Sequence, residues 1–283
     1  MNTTPTWVIT GASSGLGYDL AEYVLSQGDD VVLAARSGEA MNRLASLYPE
    51  SSLVVVTDVA DADQRSNLIG EAELHFGKID FLVNNAGIDY LGAIEEQHEA
   101  DYRKVFEVNF FAAVALIRLA LPGMRARRAG MIVNMSSMDG LASLPGNAFY
   151  SASKFALEGL TESLWEEIEP AGLRAVIIEP GSFLTGIDGR THFSGDLMPD
   201  YDASSGNFFR AMANVEELSD VMFPGDPKLA ARVIYEQLTA GPTFHRLILG
   251  SDAMVRIGAK LDDLRADFAT CRLIAPTTDF VRV

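Results

Sequence analysis

Residues Trp7-Val8-Ile9-Thr10-Gly11-Ala12-Ser13-Ser14-Gly15-Leu16-Gly17 carry an apolar, β-branched run straight into a turn of glycines and serines. The run reads as a buried strand, and from residue 15 the chain opens an amphipathic helix. Glycines at such a junction allow a tight turn, close approach of a ligand to the backbone and close packing of helix on strand. The N–H groups left unpaired at the helix start then form a cradle for phosphate. Gly11, Ser13, Ser14, Gly15, Leu16 and Gly17 are therefore candidates for holding a pyrophosphate. A purely conformational role for the same glycines is the alternative.

The same strand-then-helix order repeats outward from this stretch. Apolar runs fall at 7–10, 31–35, 53–57, 81–84, 131–135, 175–178 and 244–249, most of them continuous Val, Ile and Leu. Continuous rather than alternating runs are expected of parallel strands covered on both faces. Helical periodicity falls at 15–27, 40–47, 61–76, 101–127, 149–169 and 226–238. This alternation predicts an α/β fold: a doubly wound parallel sheet of about seven strands with helices on both faces. In such a sheet a ligand lies beyond the carboxyl ends of the strands, where the strand order reverses. With 283 residues, 48% of them hydrophobic, the chain reads as a single domain over 1–283. A further amphipathic helix at 252–268 begins a C-terminal helical extension over 251–283.

Composition narrows the function classes. A formal charge of −17 argues against a nucleic-acid or anionic-membrane surface, which bind through clustered Lys and Arg. No leader-like start is evident, and no segment reads as apolar enough to cross a bilayer, so a cytoplasmic protein is expected. The lone Cys271 cannot form an internal disulfide, which suits a reducing compartment. Histidines 75, 98, 192 and 245 show no metal-ligand spacing, and no metal site is expected.

Residues at the strand ends supply the chemistry. After the second strand the tip carries Arg36 and no carboxylate, a pattern that favours a ribose 2′-phosphate over a free 2′-hydroxyl. Pairing of Arg36 as a surface cation with Glu39 or another carboxylate is the bland alternative. Asp58 and Val59, after the third strand, can hold an adenine through side chain and backbone, although Asp58 is equally suited to cap the helix that follows. Asn84, Asn85, Ala86 and Gly87 end the fourth strand, where Asn side chains can stitch neighbouring strand ends. In Phe149-Tyr150-Ser151-Ala152-Ser153-Lys154, Tyr150 and Lys154 are four residues apart and share a helix face. A fixed cation there favours the phenolate and brings tyrosine toward general acid/base use.

With Thr10 to Gly17, Asn84 to Gly87, Asn109, Ser137, Tyr150, Lys154 and Pro180-Gly181 in one order, the sequence resembles the short, single-domain branch of the short-chain dehydrogenase/reductase family. The resemblance covers the chain from about residue 6 to 185. It implies a Rossmann-type sheet, a nicotinamide cofactor, with NADP preferred here over NAD, and interconversion of a secondary alcohol and a ketone. By the same resemblance Tyr150 is the general acid/base. Lys154 lowers its pKa and bonds the nicotinamide ribose, and Ser137, thirteen residues before the tyrosine, holds the substrate oxygen. Asn109 interrupts a helix and binds a water linking Lys154 to solvent. Pro180 and Gly181 turn the chain under the nicotinamide, and Thr185 bonds its carboxamide or the pyrophosphate.

The stretch 186–225 holds no clean strand and mixes turn residues with aromatic and methionine side chains, as a substrate lid would. With Met138, Leu144 and Phe183 as candidate substrate contacts, a fairly hydrophobic substrate of hydroxysteroid, retinoid or lipid-like size is expected. Family members commonly pair through their two long helices, here 101–127 and 149–169, so a homodimer or homotetramer is expected. A nucleotide-binding redox sensor or scaffold without turnover is the alternative function; such proteins normally lack the Tyr or the Lys, and this chain has both.

Overall fold

The structure, a computed structural model, describes residues 4–183, 191–193, 195–206, 223–241 and 243–280. Among them, strands β1 (Thr6–Thr10), β2 (Asp30–Ala35), β3 (Ser52–Val56), β4 (Phe81–Asn84), β6 (Met131–Met135), β7 (Arg174–Pro180) and β9 (Arg246–Leu249) form one sheet. Its order is β3-β2-β1-β4-β6-β7-β9, and every pairing is parallel. All seven strands were marked by their apolar runs, to within a few residues.

Helices cover both faces, as expected for parallel strands with no polar side. On one face α1 (Gly15–Ser26), α2 (Glu39–Ala45) and α7 (Pro227–Thr239) pack against Trp7, Ile9, Val31, Leu33 and Val176. On the other, α3 (Ala62–Phe76), α5 (Ala112–Arg127) and α6 (Ala148–Ile168) pack against Val8, Val32, Leu82, Ile132 and Ala175. Successive residues of β1 thus feed opposite cores, because side chains alternate across a strand.

The long helix expected at 101–127 is interrupted. A helix α4 (Glu99–Phe106) passes through a π-helical turn at Glu107–Phe111 into α5. The extra residue in that turn leaves Asn109, 2% exposed, facing Ile88 and Ser153, which is the interruption anticipated at this residue. The run Glu99–Arg127 is long and apolar enough by length and composition to cross a membrane, contrary to expectation. Within this run Ala112, Leu116, Ile117, Ala120 and Met124 are core.

One further departure concerns the stretch 186–225, which lies outside the described residues except for 191–193, 195–206 and 223–225. Asp89–Leu91 forms a short strand, β5, that pairs in parallel with β8 (Thr191–Phe193), a strand in the segment where none was expected. Three residues are too few for a periodic signal, and the pairing is decided by distant chain. The final helix α8 (Ser251–Cys271) buries Ala253 and Ile257, while Cys271 is exposed.

Candidate active site

The sheet reverses its order between β1 and β4, and the chain is stitched together at that point. Thr10 Oγ1 donates to Val83 O at 3.2 Å and accepts from the N–H groups of Asn85 and Ala86, each at 3.0 Å. Asn85 Nδ2 donates to Thr10 O at 2.8 Å. Asn84 Nδ2 donates to Asn134 Oδ1 at 2.8 Å, so this side chain does tie neighbouring strand ends. Asn85 is thereby a brace of the glycine loop through its side chain and main-chain N–H.

At Gly11 and Gly17 the loop has no room for a side chain. Gly11 has φ +69°, and a Cβ there would lie 2.8 Å from Asn85 Nδ2; a Cβ on Gly17 would lie 2.7 Å from Gly11 O. Gly15 has φ +58°. No acidic residue occupies the first turn of α1, whose N-cap is Ser14. Bare backbone at the positive end of a helix dipole fits a dinucleotide pyrophosphate, so these residues pass as a cofactor cradle.

At the β2 tip Arg36 is exposed, and Glu39 is engaged instead by Arg43 at 2.6 Å. The alternative pairing of Arg36 with Glu39 is therefore not formed. Asp58 Oδ1 accepts from Ala60 N–H at 3.0 Å, whereas the cap of α3 is Asp61, which accepts from Gln64 N–H at 3.0 Å. Val59 is buried, and its carbonyl accepts from Arg65 at 2.6 Å.

Tyr150 and Lys154 lie one turn apart on α6. The Lys154 ammonium is 5.6 Å from the Tyr150 ring centroid and donates to Met135 O at 2.8 Å. Asn109 clamps the chain beside them: its Nδ2 donates to Ile88 O and its Oδ1 accepts from Ile88 N–H, both at 2.9 Å. It also donates to Ser153 Oγ at 3.2 Å. A Cβ on Gly87 would lie 3.7 Å from Lys154 Nζ, an ordinary contact distance, so the Asn84–Gly87 loop passes beside the ammonium. Ser137 Oγ accepts from Asp139 N–H at 3.1 Å, which leaves its proton to be donated elsewhere. Asn109, Ser137, Tyr150 and Lys154 thus converge.

The electrostatics differ from the expectation that Lys154 brings the tyrosine down. Burial pushes the Tyr150 hydroxyl up, the charges of Asp139 and Asp89 push it further, and the hydrogen bond from Ser137 opposes them. Lys154 is itself lowered to about 8 by burial, against the pull of Glu158, Asp89 and Asp139. The ammonium is directed to the Met135 carbonyl, and removal from water outweighs its attraction for the phenolate. Burial and neighbouring Asp139 raise Asp89 to about 7, and its Oδ1 is buried without a hydrogen-bond partner.

Sequence reasoning missed these carboxylates. Glu158 was within reach, since it follows Lys154 by four residues and continues the same helix face. It is 4% exposed and pairs with Arg246 at 2.5 Å, and Arg246 also pairs with the fully buried Glu179. Asp89 and Asp139 carry no spacing signal.

The substrate-side candidates are dispersed. Met138 and Leu144 are half-buried on the Ser137 loop. Phe183 belongs to the core and forms an isolated bridge with Gly225. Gly181 N–H donates to Leu249 O at 2.7 Å and holds the turn after Pro180, whereas Thr185 lies outside the described residues. A cavity of about 300 Å³ lined by Trp165, Arg174 and His245 sits at the other end of α6, away from Tyr150.

A doubly wound sheet, a glycine cradle at its switch point and a Ser-Tyr-Lys group define a dinucleotide-dependent oxidoreductase. The chain belongs to the short-chain dehydrogenase/reductase family: a short chain dehydrogenase model matches residues 5–192. It is 30% identical over 264 residues to an oxidoreductase of Botryotinia fuckeliana, covering 93% of this chain and 95% of the relative. A 3-ketodihydrosphingosine reductase of Bacteroides thetaiotaomicron is 33% identical over 211 residues, 74% of this chain and 75% of the relative. A short-chain dehydrogenase from Streptomyces avermitilis superposes with TM-score 0.91 at 36% identity, covering 98% of this chain and 100% of the other. A Burkholderia phymatum family member solved with NAD gives TM-score 0.80 at 26% identity, covering 93% and 95%. A metagenomic short-chain oxidoreductase solved with NADP gives TM-score 0.60 at 31% identity, covering 63% and 82%.

Proposed function

We propose that this chain is an NADP(H)-dependent oxidoreductase interconverting a secondary alcohol and a ketone, with a fairly hydrophobic substrate. The convergence of Ser137, Tyr150 and Lys154 carries the reading. The cofactor supplies or accepts the hydride when bound. The side chains do the rest: Tyr150 gives a proton to the carbonyl oxygen in reduction or takes it from the alcohol in oxidation. Ser137 donates to the same oxygen, and Lys154 holds the nicotinamide ribose and supplies positive charge. A tyrosine with a raised pKa stays protonated at neutral pH, which favours its use as the acid in ketone reduction.

Support for NADP comes from Arg36, exposed at the β2 tip, with Glu39 paired to Arg43. Gly11 to Gly17 cradle the pyrophosphate in this reading, Asp58 and Val59 flank the adenine, and Ala86, Gly87, Pro180, Gly181 and Thr185 line the nicotinamide side. The half-buried Met138 and Leu144, and a lipid-directed reductase among the relatives, support an apolar substrate. Phe111 in the π-helical turn, Leu119 on α5 and Phe155 on α6 are 52%, 37% and 43% exposed, which suits pairing of two copies there.

NADPH consumption with a panel of ketones tests the activity. Comparison of kcat/KM for NADPH and NADH, before and after Arg36→Asp, tests the cofactor. The unmodified protein should prefer NADPH and Arg36→Asp should reverse that order; NADH preference in the unmodified protein overturns it.

A further inference from the structure

The family model ends at residue 192, yet two side chains of α8 reach back into the site. Asp252 and Arg256 are four residues apart and so share one face of that helix. Asp252 Oδ2 accepts from Ser182 N–H at 2.7 Å, at the turn that follows Pro180 and Gly181. The fit there is close: a Cβ on Gly181 would lie 2.7 Å from Asp252 Cγ. One turn further on, Arg256 forms an ion pair with Asp139 Oδ1 and donates to Ala142 O.

Asp139 is a hub. It is 7% exposed, and its Oδ2 accepts from Asn147 Nδ2 at 3.1 Å. Asn147 is the N-cap of α6, the helix that carries Tyr150 and Lys154. The Asp139 N–H donates to Ser137 Oγ at 3.1 Å. One guanidinium on α8 is therefore connected, through Asp139, to the start of the tyrosine's helix by the carboxylate and to the serine by the main-chain N–H. Burial pushes the Asp139 carboxyl up, and Arg256 opposes that rise.

We propose that Asp252 and Arg256 are positioning residues: α8 clamps the Gly181–Ser182 turn with the first and the Ser137–Asp139 turn with the second, making the C-terminal helix part of the catalytic site. This rests on the reading of Ser137 and Tyr150 given above. The two contacts serve different walls and fail differently. Loss of the Arg256 pair frees the Asp139 carboxylate and loosens the turn whose main-chain N–H bonds the serine hydroxyl. Loss of Asp252 leaves Ser182 N–H unpaired and frees the turn on the cofactor side.

The test uses the full chain and separates binding from turnover. Arg256→Gln should lower kcat about 10- to 100-fold, the scale of a misplaced catalytic group, with the NADPH Kd changed less than about 2-fold. Arg256→Lys should recover part of the loss. Asp252→Ala should raise the NADPH Kd about 10-fold and lower kcat less. Because Arg256→Gln leaves a buried carboxylate without its cation and can impair folding, Asp139→Asn and the Asp139→Asn/Arg256→Gln double variant are measured beside it. Kinetic losses of the two single variants that overlap in the double variant show that the residues act as one unit. Wild-type kcat in Arg256→Gln, or losses that add fully in the double variant, overturn the role of Arg256. An unchanged NADPH Kd in Asp252→Ala overturns that of Asp252. If the unmodified protein turns over no carbonyl, the reading of the site fails; the NADPH Kd of Asp252→Ala still decides the clamp on the cofactor side.

Discussion

Substitution of Gly17 by alanine tests the cradle at one atom. Gly17 is buried in the first turn of α1, and an added Cβ would overlap Asn85 Nδ2, with Asn85 Cγ at 3.1 Å and Gly11 O at 2.7 Å. The Asn85 side chain can swing away only by giving up its 2.8 Å bond to Thr10 O, and Gly11 O is backbone that cannot swing. Losing the hydrogen bond costs about 1 kcal/mol, and forcing a methyl into packed surroundings about 1–3 kcal/mol. Alanine's better helix propensity returns about 1 kcal/mol. A net loss of about 1–3 kcal/mol corresponds to a Tm fall of about 2–10 °C for a chain of this size. Thermal melting and NADPH titration measure it, and cofactor affinity should fall about tenfold or more because the loop must move. The double variant Gly17→Ala/Asn85→Ala removes the Asn85 overlap and should lose less stability than the two single losses added together. A Tm within 1 °C of wild type with unchanged NADPH affinity in Gly17→Ala would refute the geometry of the loop.

Tyr150→Phe should retain NADPH binding and lose at least about 100-fold in kcat, since only the proton-transferring hydroxyl is removed; stopped-flow binding beside steady-state rates checks both. Ser137→Ala should also lose turnover, but less, because the acid remains when the second donor to the substrate oxygen is gone; wild-type kcat would remove Ser137 from the mechanism. Asp89 is raised from 3.8 to about 7, so the folded chain holds a proton that the unfolded chain releases between those values. Its contribution to stability is therefore present below about pH 4 and lost as pH rises to about 7, on the order of a few kcal/mol. Asp89→Asn should flatten that part of the Tm–pH curve; parallel curves for the two proteins would show that Asp89 titrates normally.

The fold was legible because its signals are local. Apolar β-branched runs and helical periodicity repeat along the chain, and parallel strands buried on both faces cannot hide that pattern in alternation. Tyr150 and Lys154 were legible for the same reason: spacing four on one helix fixes their relation before any tertiary contact forms. The environment that sets their chemistry was not. Asp139 reaches Tyr150's helix only because Asn147 and Arg256, eight and 117 residues away in sequence, meet it in space. The pairing of β5 with β8 spans about a hundred residues and leaves no periodic trace.

By itself the sequence determined a doubly wound α/β chain with a phosphate cradle and a tyrosine-lysine pair at its strand ends, since glycine turns and helix spacing act within a few residues. Tertiary structure alone decided how those groups ionise and what holds them. Burial of Tyr150 and Lys154 opposes the charge of each, and the carboxylates that add to or offset this come from β5, the Ser137 turn and the next turn of α6. The cation that controls one of them comes from a helix more than a hundred residues further along the chain.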